Sequence, residues 1–269
     1  MFEIKKNFGL VLGGGGARGF FHMGVIKGLQ EMGIKISEIS GTSIGAVIGL
    51  MYAANPKIDF EEITNQLDFF KITQLIVLQT NKKPNGVLEK FLKNYIKADY
   101  FEELKIKMRF NATDINANKE IIFEKGRIFP AIMASIAIPG VFYPLKYHDK
   151  YLVDGGVVNN VPISLIKKTK KIIVSNITLP IKEITEKTSM ITVLKATVIA
   201  MQQSSSLEKT KQLKRKKIVY LNSVENNSFV LDFRKKNYQS LIDLGYKSIM
   251  ERRTDLQPIK NNKETIFKK

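Results

Sequence analysis

Two glycine-rich turns, each set between a short apolar run and a helix-like stretch, constrain this chain more than any other feature. The first lies in "GLVLGGGGARGFFHMGV", residues 9–25, with four successive glycines. Glycine loses more backbone entropy on folding than any other residue, so such a run is tolerable where side chains would block a close approach. A strand "GLVL" feeds the loop, and "FFHMGVIKGLQEMG" then carries apolar residues at helical spacing up to Gly33, which suits a left-handed cap. The second turn follows at once. "KISEIS" leads into "GTSIGA", and the small-residue helix "GAVIGLMYAA" runs to "NP".

Short apolar segments read as buried strands: "FGLVL" (8–12), "MRFNAT" (108–113) paired with "EIIFEKG" (120–126), "KYLVDGG" (150–156) and "KKIIVSNIT" (170–178). Helical stretches alternate with them, the order of an α/β layer sandwich. Residues 56–105 read as a helical excursion that roofs the end of the sheet or simply packs on it. Within it the Phe- and Leu-rich segment 60–78 is the candidate wall for an apolar ligand. Two long helices are expected near the C-terminus, over 190–217 and 237–253. With no internal repeat and no long linker, one domain is the economical reading.

Composition removes several chemistries. The 269 residues include no cysteine, which excludes disulfides, thiolate catalysis and cysteine metal sites. The two histidines, His22 and His148, lack metal-ligand spacing, so no metal is expected. No apolar run can span a bilayer, and the first residues lack the roughly 7–15-residue apolar core of a secretory signal. A cytoplasmic location is expected, at most peripheral at the inner face of the membrane. The net charge is +18, and it rises along the chain: +3 over residues 1–100, +6 over 101–200 and +9 over 201–269. Such a field draws a protein to anionic surfaces; a lysine-rich compositional bias is the other reading. No helix-turn-helix or RNA-binding signature accompanies the charge, so nucleic acid is not the expected partner.

The glycine loop admits two readings. "GGGARG", residues 14–19, satisfies G-x-G-x-x-G, and Glu38 lies near the position of a ribose-binding acid, so a nucleotide-binding α/β protein is one alternative. That role would require Glu38 to end a second strand, yet "KISEIS" is polar and runs into another special turn. "GTSIG", residues 41–45, is a G-x-S-x-G. In a nucleophile elbow the serine, here Ser43, occupies a strained strand-to-helix corner, and Gly41 and Gly45 keep side chains out of it. For its base, His148 sits in "KYHDKY", which resembles a strand-to-strand turn, and His22 reads as structural on the first helix. Asp154 is the stronger candidate, delivered by the apolar strand "YLVDGG" with Gly155 and Gly156 opening the turn beside it.

The combination "GGGARG", "GTSIG" and "DGG", in that order, resembles the patatin-like phospholipase family, in its bacterial, single-domain form. "MASIAIPGVFYP" (133–144) is similar to the family's Ala-Ser-x-Ala-x-Pro-x-x-Phe-x-Pro block, and "FNATDIN" (110–116) to its Ala-Thr-Asp strand. "INANKE" departs from it with Asn where relatives often show glycine, which affects only a turn. The likeness covers roughly residues 8–180. It implies a three-layer α/β/α sandwich on a mainly parallel sheet, with a domain over 1–258 and a polar tail at 259–269. It implies a serine lipid acyl hydrolase of phospholipase A, lysophospholipase or carboxylesterase type, with no cofactor. Ser43 would be the nucleophile and Asp154 its base; Gly14, Gly15 and Gly16, with Arg18 nearby, would form the oxyanion hole. The implied partner is a phospholipid or other fatty-acyl ester; the basic charge, richest in the C-terminal third, adds the expectation of peripheral contact with an anionic membrane surface.

Overall fold

Strand β1 (Phe8–Leu12) is buried at every residue, as a continuous apolar run between two layers should be. The computed structural model describes residues 7–66, 87–179, 183–186, 188–190, 192–193, 196–197, 199–203, 216–223 and 235–256. The other strands are β2 (Ile36–Thr42), β3 (Lys107–Asp114), β4 (Lys119–Phe123), β5 (Leu145–Tyr147), β6 (Lys150–Asp154), β7 (Lys171–Asn176) and β8 (Lys217–Asn222). They form one eight-stranded sheet in the order β5-β6-β3-β2-β1-β7-β8, with β4 paired to β3. Strands β3, β2, β1, β7 and β8 run parallel, and β4, β5 and β6 are antiparallel additions at one side.

The helices are α1 (Phe20–Glu31), α2 (Ile44–Ala54), α3 (Phe60–Gln66), α4 (Val87–Tyr95), α5 (Ile128–Ser135), α6 (Lys235–Glu251) and the short α7 (Arg253–Leu256). Helix α1 ends as expected: Gly33 has φ +65°, and the amides of Gly33 and Ile34 close back onto Gln30 and Leu29. Helices α1 and α6 meet without a side-chain layer between them. A Cβ at Gly24 would collide with the backbone of Ile242 and Tyr246, and one at Gly245 with the backbone of Phe21. On this face Leu10, Leu12, Ile39, Phe110 and Ile173 join the helices in the main core. A smaller core of Val11, Ile172 and Val174 lies on the other face under Val161, Ile163 and Ile166.

Two expectations change. The C-terminal helix expected over 190–217 does not reach Lys217, which instead begins β8; residues 199–203 are helical. Strand β2 is longer than its polar sequence suggests, because its polar residues share one face with those of β3. Ser40 is opposite Arg109 and Thr42 opposite Asn111. Most of the 60–78 segment and the whole 259–269 tail lie outside the described residues. Among the described residues no helix is long and apolar enough to cross a membrane.

Candidate active site

The polar face of β2 and β3 explains how an irregular segment, residues 154–169, is held in one conformation. Thr113 Oγ1 donates to the Asp154 carbonyl (3.0 Å), Thr42 Oγ1 to the Asn159 carbonyl (2.9 Å), and Ser40 Oγ to the Pro162 carbonyl (2.8 Å). Asn111 Nδ2 donates to the Asn159 carbonyl at 3.0 Å, and Arg109 Nη1 to the Leu165 carbonyl at 3.3 Å. Glu38 accepts the amides of Lys167, Lys168 and Thr169. A loop cannot be buried with its backbone groups unpaired. Here the sheet supplies the partners, and the start of the loop, Asp154, is fixed by them.

Ser43 sits at the corner between β2 and α2 with φ 54° and ψ −125°, a conformation a residue with a Cβ adopts only at a cost. The two flanking glycines are sterically required. A Cβ at Gly41 would lie 2.6 Å from the Gly45 carbonyl, and one at Gly45 would strike the backbone of Leu12 and Gly13. The Ser43 amide donates to Ser135 Oγ at 3.2 Å, which braces the corner from α5.

Asp154 is buried, its amide donates to the Ala137 carbonyl (2.9 Å), and its Oδ1 accepts the Gly156 amide at 2.7 Å. Burial pushes its carboxyl up to about 6, against hydrogen bonds from the Ser43 side chain and the Gly156 amide that favour the ionised form. The fold thus brings the Ser43 side chain, far from Asp154 in the chain, close enough to act on its carboxyl. Gly155 cannot carry a side chain, since a Cβ would lie 2.5 Å from the Asn111 carbonyl oxygen.

The glycine loop reaches the same place: a Cβ at Gly14 would be 3.4 Å from Ser43 Cβ. Its amides are not equivalent. Those of Gly13 and Gly14 already donate to the carbonyls of Ser175 and Asn160, both at 3.0 Å. This corrects the expectation for Gly14, whose N–H is spent on the protein. Among the described residues the amides of Gly15 and Gly16 have no acceptor. Each of these N–H groups belongs to a planar trans peptide, so it points opposite the carbonyl of the preceding residue. The Gly14 carbonyl accepts Asn160 Nδ2 at 3.2 Å, and the Gly15 carbonyl accepts Arg18 Nε at 3.2 Å. Asn160 thus sets the direction of the Gly15 N–H and Arg18 that of the Gly16 N–H. Burial lowers Arg18 to about 10, still a cation at neutral pH. Its observed contact with the loop is through the Gly15 carbonyl.

The remaining polar candidates fall elsewhere. His22 lies under the glycine loop, its Nε2 2.8 Å from the Gly13 carbonyl and its Nδ1 2.7 Å from Ser175 Oγ. Burial depresses it to about 4, so it is neutral, donating to Gly13 and accepting from Ser175. His148 is exposed in the β5–β6 turn with φ 53°. Glu38 pairs with Gly9 in the sheet, four residues before the Gly13 turn, and its oxygens are occupied by Arg109 and three amides. A ribose-binding role for it is overturned. Asn160 and Asn111 were not singled out in the sequence; "NN" after "DGG" offers no local pattern from which the reach of Asn160 to Gly14 could be read. Among the described residues no group of three His, Cys, Asp or Glu could hold a metal.

Comparison with known proteins gives the same family as the motifs. The family described as patatin-like phospholipase matches residues 10–166. An uncharacterised NTE family protein of Mycobacterium tuberculosis is 38% identical over 162 residues, covering 58% of this chain and 44% of its own length. The lysophospholipase NTE1 of Saccharomyces cerevisiae is 32% identical over 165 residues, covering 58% of this chain and 10% of its own. This chain thus spans less than half the length of these curated relatives. Among solved structures, VipD of Legionella pneumophila shares the fold with a TM-score of 0.56 at 15% identity, covering 93% of this chain and 67% of that one. The ExoU–SpcU complex of Pseudomonas aeruginosa gives 0.53 at 15% identity, covering 94% and 52%.

Proposed function

From the premise that this chain belongs to the patatin-like phospholipase family, we propose that it is a serine hydrolase of fatty-acyl esters working through Ser43 and Asp154. The observation that carries this reading is a buried carboxylate, raised to about 6, brought to the side chain of a serine held in a corner of positive φ. A carboxylate near its ordinary value of about 4 is a weak base toward a hydroxyl. Raising it toward neutrality strengthens it while leaving it largely ionised at pH 7.

In the first step Ser43 Oγ bonds to the ester carbonyl carbon as its proton passes to Asp154. Negative charge collects on the former carbonyl oxygen, where the N–H groups of Gly15 and Gly16 are the available donors. Such preorganised donors are each worth on the order of 3–4 kcal/mol in the transition state. The carbon–oxygen bond to the alcohol then breaks, and the alcohol leaves with the proton that Asp154 held. Water attacks the acyl-enzyme, gives its proton to Asp154, and the fatty acid departs as Ser43 recovers its hydrogen. The substrate is a phospholipid, a lysophospholipid or a simpler carboxylic ester.

Fluorophosphonate labelling tests the assignment: the parent should react at one residue and the Ser43→Ala variant not at all. The labelling rate should fall about tenfold per pH unit below about 6, as Asp154 takes up its proton. Labelling that survives Ser43→Ala would place the nucleophile elsewhere.

A further inference from the structure

The pairing registers lift two hairpins well past the level of Ser43. Thr42, the last residue of β2, lies opposite Asn111, but β3 continues to Asp114, three residues further. At roughly 3.3 Å per residue that is about 10 Å beyond the corner, on the side where the chain turns at Ser43. From there β4 turns back, with Lys119 opposite Asp114. Strand β6 descends beside β3, with Leu152 opposite Asp114 and Asp154 opposite Ala112. Lys150 and its partner Tyr147 therefore stand about 16 Å past the level of Asn111, with the His148–Asp149 turn beyond them. The strand that delivers Asp154 is one arm of a projecting hairpin.

These projections are amphipathic. Ile115 is 46% exposed, Tyr151 44% and Tyr143 69%. Tyr143 lies in the stretch "IPGVFYP", residues 138–144, which has no charged residue and joins Ala137, the partner of the Asp154 amide, to β5. Lys119 and Lys146 are exposed, and Lys146 is directly across from Tyr151. The exposed acid here is Asp149, held by Lys150 at 3.1 Å; Asp114 is buried and turned inward to the Ala117 amide. Tyrosine has an apolar body and a polar tip suited to the headgroup level of a bilayer, and lysine nearby suits anionic headgroups.

We infer that the β3–β4 turn, the β5–β6 hairpin and the 138–144 segment form the surface that meets an anionic lipid interface, so that the acyl ester enters between them toward Ser43. The inference rests on the proposed acyl-hydrolase reading. It locates lipid contact on the Asp154 side of the sheet rather than on the lysine-rich C-terminal third. A rigid link follows: Tyr151, one of the residues that touch lipid, lies on β6, the strand that carries the base.

The test uses the full chain with Ser43→Ala, which separates binding from turnover, and measures co-sedimentation with phosphatidylcholine vesicles with and without phosphatidylglycerol. The parent should bind the anionic vesicles more tightly, and less so at high salt. Adding Tyr143→Ser with Tyr151→Ser, or Lys119→Glu with Lys146→Glu, should weaken binding by more than about tenfold, with unchanged melting temperature. Reversing Lys247, Arg252 and Arg253, on the C-terminal helices and the turn between them, should leave binding as it was. Loss of binding only on the C-terminal reversal, or no binding to either vesicle, would overturn the inference. Fluorophosphonate labelling of the Ser43 parent reports separately on the catalytic reading, so the two can fail independently.

Discussion

Asp154 and Glu38 are both buried carboxylates, one at the start of the 154–169 loop and the other gripping its end, and burial by itself pushes both toward the neutral form. They finish in opposite states. Asp154, with the Ser43 side chain and one backbone amide as partners, is left raised to about 6. Glu38 is held below the usual carboxylate range because hydrogen bonds from Thr169, Lys167 and Lys168 outweigh its desolvation. It also pairs with Arg109 at 3.1 Å, and Arg109 in turn bonds Glu124 at 2.6 Å. The difference is the number of donors each is given. A fully partnered buried charge anchors a loop; an under-partnered one remains reactive. One end of the segment is built for stability and the other for chemistry.

Breaking the reactive end has the largest expected effect. Asp154→Asn should lower ester turnover by more than about 10³-fold, as losing one member of a coupled nucleophile–base unit does. It should also stabilise the fold at pH 7. A shift from 3.8 to about 6 corresponds to roughly 3 kcal/mol against the ionised form, at about 1.4 kcal/mol per unit. Between pH 4 and 6 the folded state holds more protons at this site than the unfolded chain, so stability falls as pH rises through that window. The advantage of Asp154→Asn in thermal melts should therefore be large at pH 7 and gone near pH 4. A variant no more stable than its parent at pH 7 would contradict the contrast with Glu38.

Breaking the anchored end comes next. Arg109→Ala strands Glu38 in the interior, and removing one partner of a buried pair costs about 3–5 kcal/mol. Urea unfolding should show that loss, while the folded fraction still labels at Ser43 at the parent's rate. A matching loss of labelling rate would mean that the two ends are not separable.

The smallest of the three effects sharpens the comparison at the loop's centre. Asn160→Ala removes the donor on the Gly14 carbonyl and frees the peptide that aims the Gly15 N–H. We expect kcat to fall by about 10–100-fold, less than the full loss of an oxyanion donor, with KM little changed. Asn160→Asp would put a second carboxylate beside the Gly156 turn, since Asn160 Oδ1 already lies 2.8 Å from where a Gly156 Cβ would be. Like charges disfavour joint ionisation, so the pH midpoint of labelling should move above about 6. An unmoved midpoint with kcat still reduced would reduce Asn160 to a packing role.

Much of this site is legible locally. Gly41 marks a corner because a Cβ there would strike the backbone of Gly45 and Ala46, four and five residues on, whereas Gly45 is required by the backbone of Leu12 and Gly13 at the end of β1. Gly33 at the end of α1 is legible from its own backbone, which takes a left-handed φ of +65°. The purpose of Gly24 is not legible in this way, since α6, whose backbone it meets, arrives from more than two hundred residues away. Strand β2 misleads for a related reason: Glu38, Ser40 and Thr42 look like surface residues until a distant loop takes their hydrogen bonds.

By itself, then, the sequence determined the strand–glycine turn–helix units and the residue types at 43 and 154, because backbone sterics act over a few neighbouring positions. The tertiary structure decided which amides stay free, that His22 is neutral, and which of two buried acids is raised. Those outcomes depend on donors and acceptors brought together from separate strands and loops, and on how completely each buried polar group is partnered.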